Sequence, residues 1–124
     1  MKKSHLILSV DDEKDIRESV KSVLEDAGLN VETAKDGTDM LKKLEKIKPE
    51  LILLDVLMPG LTTKEILKEL KKRKSKVPII FLTVVRLSEA VKKDIIKQNM
   101  VDYIEKPFDN EDLIKRVKKV LRMK

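Results

Sequence analysis

Leu51-Ile52-Leu53-Leu54-Asp55 is an apolar run of four residues closed by a carboxylate. A strand with one wet face alternates apolar and polar residues, whereas a short unbroken apolar run marks a strand covered on both faces. Two further stretches repeat the pattern: Leu6-Ile7-Leu8-Ser9-Val10 runs into Asp11-Asp12-Glu13, and Val77 to Leu82 ends at Thr83. Buried strands of this kind belong to parallel sheets, whose connections must cross over the sheet, usually as helices.

The segments between the runs carry helical periodicity. Ile16, Val20, Val23, Leu24 and Ala27 recur at helical spacing, which predicts a helix from Lys14 to Ala27 with Asp12 as its cap and Gly28 as its stop. Asn30 to Ala34 alternates, as suits an edge strand. Met40, Leu41, Leu44 and Ile47 mark a second helix reaching towards Pro49. After the Pro59-Gly60 turn, Thr62 or Thr63 caps a third, carrying Ile66, Leu67 and Leu70 with Glu65 in its first turn. Ser88 and Glu89 open a fourth with Val91, Ile95 and Ile96. Val101 to Ile104 is a fifth strand, and Asp109 or Asn110 caps a last helix through Leu113, Ile114, Val117, Val120 and Leu121. Five strands alternating with five helices predict a doubly wound α/β fold, a three-layer (βα)5 sandwich around a parallel sheet with right-handed crossovers. With 124 residues, the chain is expected to form a single domain, 1–124.

Composition excludes several functions. There is no cysteine and one histidine, His5, so disulfide scaffolds, thiolate chemistry and a multi-histidine zinc site fall away. A metal here would be held by oxygen, which favours a hard cation such as Mg²⁺. No apolar run approaches the roughly 20 residues of a membrane span, and the first run meets acids too soon for a secretory signal. The expected place is cytoplasmic, with no membrane partner. The formal charge is +6, but lysines occur in every predicted helix. The one tight basic cluster, Lys71-Lys72-Arg73-Lys74-Ser75-Lys76, lacks interleaved aromatics. It reads as solvated surface or as a contact for an anionic partner, and no direct nucleic-acid binding is expected from so dispersed a pattern.

Open parallel sheets bind ligands beyond the carboxyl ends of their strands, at the point where strand order reverses. The strand ends here are polar: Asp11 and Asp12 after the first, Asp55 after the third, Thr83 after the fourth and Lys106 after the fifth. In strand order 2-1-3-4-5 the first and third strands are neighbours and their carboxylates converge. Three carboxylates together repel unless a cation joins them. A divalent cation, a lysine and a threonine hydroxyl around one carboxylate make a cradle for a phosphoryl group, and an aspartate can be the nucleophile that receives it. Taken singly, each position has an ordinary reading: a helix-opening acid pair, a strand-end cap, a turn threonine, a surface lysine. The fold pattern brings all of them to one rim.

Four stretches, in this order, carry a resemblance: Val10-Asp11-Asp12-Glu13, Leu53-Leu54-Asp55-Val56-Leu57-Met58-Pro59-Gly60, Leu82-Thr83, and Asp102-Tyr103-Ile104-Glu105-Lys106-Pro107-Phe108. The whole chain resembles the receiver (phosphoacceptor) domain of two-component response regulators. The resemblance implies a CheY-like, flavodoxin-like fold and phosphorelay signal transduction through an aspartyl phosphate. It implies Asp55 as the phosphoacceptor. Mg²⁺ would be bound by Asp12, Asp55 and the Leu57 backbone carbonyl, with Asp11 acting through a metal-bound water. Lys106 would contact the phosphoryl group and form a cis peptide bond with Pro107. Thr83 and Tyr103 would be the switch pair. The donor would be a sensor histidine kinase or a small acyl phosphate, and the responding face would comprise the fourth helix, fifth strand and last helix. Catalysis would extend no further than the domain's own phosphorylation and dephosphorylation.

The C-terminal stretch is similar to receivers joined to winged-helix DNA-binding domains, with Asp102, Glu111 and Arg116 at charged positions used there for a symmetric dimer. The chain carries no such output segment, so its output runs through a protein partner, a further domain or a second copy. Some positions depart from the pattern. Val84 stands where a small residue is usual, Thr62-Thr63 replaces an Asp-Gly, and Asn99-Met100 a Gly-Ala. Leu57 and Val85, both apolar, flank the expected path of attacking water and predict slow hydrolysis. The alternative function is a receiver-like interaction module that is never phosphorylated, towards which only Val84 leans. A phosphohydrolase would need a cap or lid insertion that this length does not supply.

Overall fold

The computed structural model describes residues 5–55, 62–83 and 100–122. Five strands, β1 (Leu6–Val10), β2 (Asn30–Ala34), β3 (Leu51–Asp55), β4 (Ile79–Thr83) and β5 (Met100–Glu105), form one sheet in the order β2-β1-β3-β4-β5. Every pairing is parallel. The described helices are α1 (Lys14–Asp26), α2 (Gly37–Leu44), α3 (Thr63–Lys72) and α4 (Asn110–Val120). The helix expected from Ser88 through Ile96, the Pro59-Gly60 turn, Leu57, Val84 and Val85 lie outside the described residues.

Alternation along the strands divides the apolar residues between two cores. Leu8, Val10, Ile52, Leu54, Ile79 and Phe81 face one way, under Met40 of α2 and Ile66, Leu67 and Leu70 of α3. Ile7, Leu51, Leu53, Ile80 and Leu82 face the other, under Val20 and Leu24 of α1 and Leu113 and Val117 of α4. That is why β1, β3 and β4 read as unbroken apolar runs. β2 alternates instead, as a sheet edge allows. Among the described residues, no helix is long and apolar enough to cross a membrane.

Helix ends follow local chemistry, with three corrections: Asp12 is not the α1 cap, α1 stops at Asp26 ahead of Ala27, and α2 stops at Leu44, short of Ile47 and Pro49. Thr62 caps α3 in a capping box with Glu65, Asp36 caps α2 and Asp109 caps α4. The Thr62 backbone and hydroxyl hydrogen bonds hold the Glu65 carboxyl below its usual range. Asp12 does not cap α1. The N-cap is Glu13, with no side-chain cap bond, and its N–H is taken by Asp11 Oδ1 at 2.9 Å. α1 accordingly ends at Asp26, with Ala27 as C-cap ahead of Gly28 at φ 92°. At the opposite end of the sheet, His5 pairs with Glu50 at 2.5 Å and fastens the start of β1 to the entry of β3.

One polar atom in the core is out of place. Ser9 is 1% exposed, and its Oγ has no hydrogen-bond partner among the described residues. A buried hydroxyl without a partner carries its desolvation cost uncompensated. Ser9→Ala is expected to raise stability by about 1 kcal/mol, read as a higher urea midpoint at unchanged slope. A lower midpoint would show that the hydroxyl contributes packing or a bond worth more than its desolvation.

Candidate functional site

Register brings the polar strand ends together. Val10 lies opposite Leu54, so Asp11, one residue on, comes beside Asp55. Asp55 lies opposite Leu82, and Thr83 opposite Glu105, which places Lys106 next along the same rim. The Lys106 N–H donates to the Thr83 carbonyl at 2.7 Å, continuing the ladder one step past β5. The Lys106–Pro107 peptide bond is cis.

Asp11 and Asp55 are 1% and 4% exposed, and Thr83 is fully buried, whereas Asp12 is exposed. One carboxylate oxygen from each of Asp11, Asp12 and Asp55 lies within 4.8 Å of the others. The Lys106 ammonium, on a side chain only 9% exposed, donates to Asp11 Oδ2 at 2.7 Å and stands 3.5 Å from Asp55 Oδ2. Burial opposes its charge, but the hydrogen bond to Asp11 and the attraction of both carboxylates outweigh it, so its pKa is raised. Three carboxylates against one ammonium leave a formal charge of minus two. Chemically, the donor set suits a hard divalent cation: all-oxygen, compact, and matched to it in charge. Both Asp11 oxygens are already engaged, one by Glu13 N–H and one by Lys106.

Arg17 is a contributor that periodicity does not mark. From the first turns of α1 its Nη1 donates to the Asp11 carbonyl at 2.7 Å and ties the acidic turn to the helix. The available signal was its spacing, four residues after Glu13, whose carbonyl accepts its N–H.

Within β5, Tyr103 is half-buried against the core beneath α2 and α3. Arg116 binds both oxygens of Asp102 at 2.9 Å, the Tyr103 carbonyl at 3.3 Å and Asp112 at 3.0 Å. The Arg116 partners are thus Asp102 and Asp112, while Glu111 is exposed and uses its N–H on Asp109. Although burial opposes its charge, the hydrogen bonds it donates to Asp112 and Asp102 leave the Arg116 pKa raised. A cleft of about 380 Å³ lies here, lined by Tyr103, Phe108, Asp109, Asp112 and Arg116 among others. It sits beside the Arg116 cluster, and none of the three clustered aspartates lines it.

A doubly wound, flavodoxin-like sheet with an acidic, lysine-closed rim at its switch point is the class that this fold and site define. Residues 7–118 match the profile of the response regulator receiver domain. The chain is 41% identical over 116 residues to the alkaline phosphatase synthesis transcriptional regulatory protein PhoP of Bacillus subtilis, covering 94% of this chain and 48% of that protein. It is 35% identical to response regulator MprA of Mycobacterium leprae, covering 94% and 50%. The chain therefore spans about half the length of these curated relatives. The chemotaxis protein CheY4 of Vibrio cholerae superposes with a TM-score of 0.86 at 34% identity, covering 95% of this chain and 99% of that one. The receiver domain of Francisella response regulator 1452 gives 0.86 at 30%, covering 96% and 98%. This chain belongs to the response regulator receiver domain family.

Proposed function

We propose that this chain is a Mg²⁺-dependent phosphoacceptor in a two-component phosphorelay, a single receiver unit phosphorylated on Asp55. The observation that carries this reading is the Lys106 ammonium held between Asp11 and Asp55, at 2.7 and 3.5 Å, over a carboxylate cluster with two surplus negative charges. An Asp55 oxygen attacks the phosphorus and an O–P bond forms. The bond from phosphorus to the donor's imidazole nitrogen breaks, and that nitrogen keeps the electron pair. Lys106 and the Thr83 hydroxyl stabilise charge on the equatorial oxygens, the main task in phosphoryl transfer. Asp12, Asp55 and the Leu57 carbonyl would hold Mg²⁺, with Asp11 acting through water, and the ion would supply further neutralisation of that charge. Arg17 holds the turn that carries Asp11 and Asp12.

The donor is a sensor histidine kinase, and the setting is the cytoplasm. Aspartyl phosphate adds charge and acceptor oxygens beside Thr83, and the response runs through Tyr103 to the face that includes β5 and α4. That face serves an output partner, an output domain of a longer protein, or a second copy through Asp102, Glu111 and Arg116. With apolar Leu57 and Val85 unable to orient water, the phosphoryl group is expected to persist for minutes or longer. A lifetime of seconds, by intact mass after donor removal, would refute that.

The deciding experiment is intact mass after incubation with Mg²⁺ and acetyl phosphate. The native chain should gain about 80 Da, and Asp55→Asn or omission of Mg²⁺ should abolish the gain. If neither acetyl phosphate nor a phosphorylated kinase labels the native chain, the phosphorylation-independent interaction module takes its place.

A further inference from the structure

The lysines that the sequence disperses are gathered by the fold. Residues 42–48, at the end of α2, and 71–76, at the end of α3, hold nine Lys and Arg side chains against the single carboxylate of Glu45. That is a formal charge of +8, more than the +6 of the entire chain. The two segments lead into β3 and β4, which are paired neighbours. Arg73 joins them by donating to the Leu41 carbonyl at 3.1 Å, and α2 and α3 share one core. Both segments lie at the amino edge of the sheet. The length of β3, about 13 Å, separates them from Asp55.

Little within the protein neutralises this surface. Lys43 pairs with Asp39 and Arg73 with Glu69. The other seven lysines have no carboxylate within ion-pair distance among the described residues. All seven are exposed. Helix dipoles favour cations in the last turn, which accounts for Lys42, Lys43, Lys71 and Lys72. They do not account for Lys46, Lys48, Lys74 and Lys76, which lie beyond the helices. Lys74 also occupies the left-handed region at φ 55°, where glycine is unstrained and a side chain is not. For those seven lysines, self-repulsion and, at Lys74, a strained cap are borne with no carboxylate in ion-pair reach among the described residues.

We infer that this end of the domain is a docking surface for the phosphate backbone of duplex nucleic acid, independent of base sequence and of the Asp55 site. The two segments contain no aromatic residue to stack on bases or to insert among lipid chains. A duplex presents one phosphate per about 1.7 Å of axis and asks only for clustered cations.

Fluorescence anisotropy with two labelled duplexes of unrelated sequence, from about 50 to about 200 mM salt, tests this. The native chain should bind both alike, with a log–log salt slope of about −4 to −5, corresponding to four to six phosphates. Lys71→Gln/Lys72→Gln/Lys76→Gln should flatten the slope by about 3 and weaken binding at least about tenfold at low salt. Lys14→Gln/Lys115→Gln/Lys119→Gln removes the same charge elsewhere and should leave the slope near its native value. Equal losses in the two triple variants would overturn the assignment, as would no duplex binding at the lowest salt. Tighter binding to phosphatidylserine vesicles or to polyglutamate than to duplex would also overturn it. An unphosphorylatable chain that still binds duplex would separate this inference from the phosphorelay reading.

Discussion

Lys106→Ala is expected to slow phosphorylation of Asp55 by acetyl phosphate about 10²- to 10³-fold, the usual cost of removing one preorganised donor from a developing anion. The reason is geometric. The Lys106 ammonium stands 3.5 Å from the Asp55 carboxylate, and Lys106 is fixed there from two sides, by its N–H on Thr83 and its ammonium on Asp11. The same change leaves two nearly buried carboxylates without their ammonium, and stability should fall by about 3 kcal/mol without Mg²⁺. The pH dependence has a definite sign. The folded-state pKa of Lys106 is raised above 10.5. Its contribution is therefore complete below that value and is lost as pH rises through the raised one. The stability gap between native chain and variant should stay level across neutral and mildly alkaline pH and close only above pH 10.5. Mass-spectrometric time courses and urea melts at several pH values would decide the matter. A rate within threefold of native would remove Lys106 from the transition state.

Mg²⁺ is expected to stabilise the unphosphorylated domain through the same cluster. For a site with Kd of about 1 mM, about 10 mM Mg²⁺ adds about 1.4 kcal/mol. In a domain of this size that raises Tm by about 3–6 °C. Asp12→Asn should abolish most of the increment. The variant should also be no less stable than the native chain without the ion, because Asp12 is exposed and its loss relieves repulsion with Asp11 and Asp55. Differential scanning calorimetry with Mg²⁺, and with Na⁺ at matched ionic strength, separates a site from screening. Equal shifts with the two salts, or in native chain and variant, would show that the aspartates hold no specific ion.

Much of the architecture was open to reading along the chain, because burial on both faces and burial on one face leave different residue patterns. Leu51 to Leu54 announces a central strand and Asn30 to Ala34 an edge strand, and the sheet order agrees. Because strands joined by crossovers end on one rim, Asp11, Asp12, Asp55, Thr83 and Lys106 could be collected before any distance was known. Their convergence then follows from register, which is a backbone property.

Side-chain partnerships were not legible in this way, since each depends on a rotamer and on which element packs beside it. Asp12 looked like the α1 cap, but the Glu13 N–H is taken by Asp11. Arg17 reads as one more exposed helical cation until its hydrogen bond to the Asp11 carbonyl appears. Arg116 could have met Glu111 or Asp112, and it is the partner four residues back, on the same helical face, that it meets. The charged surface is the largest such case. Residues 42–48 and 71–76 are separate basic stretches along the chain, divided by β3 and most of α3. They become one field because β3 pairs with β4 and α2 packs beside α3. Periodicity and strand-end polarity are local, so the residue pattern carries the layers and the polar strand ends, while the strand order rested on the family resemblance and agrees with the sheet. Coulombic surfaces sum over neighbours in space, and which lysines are neighbours was settled when the two crossovers docked side by side.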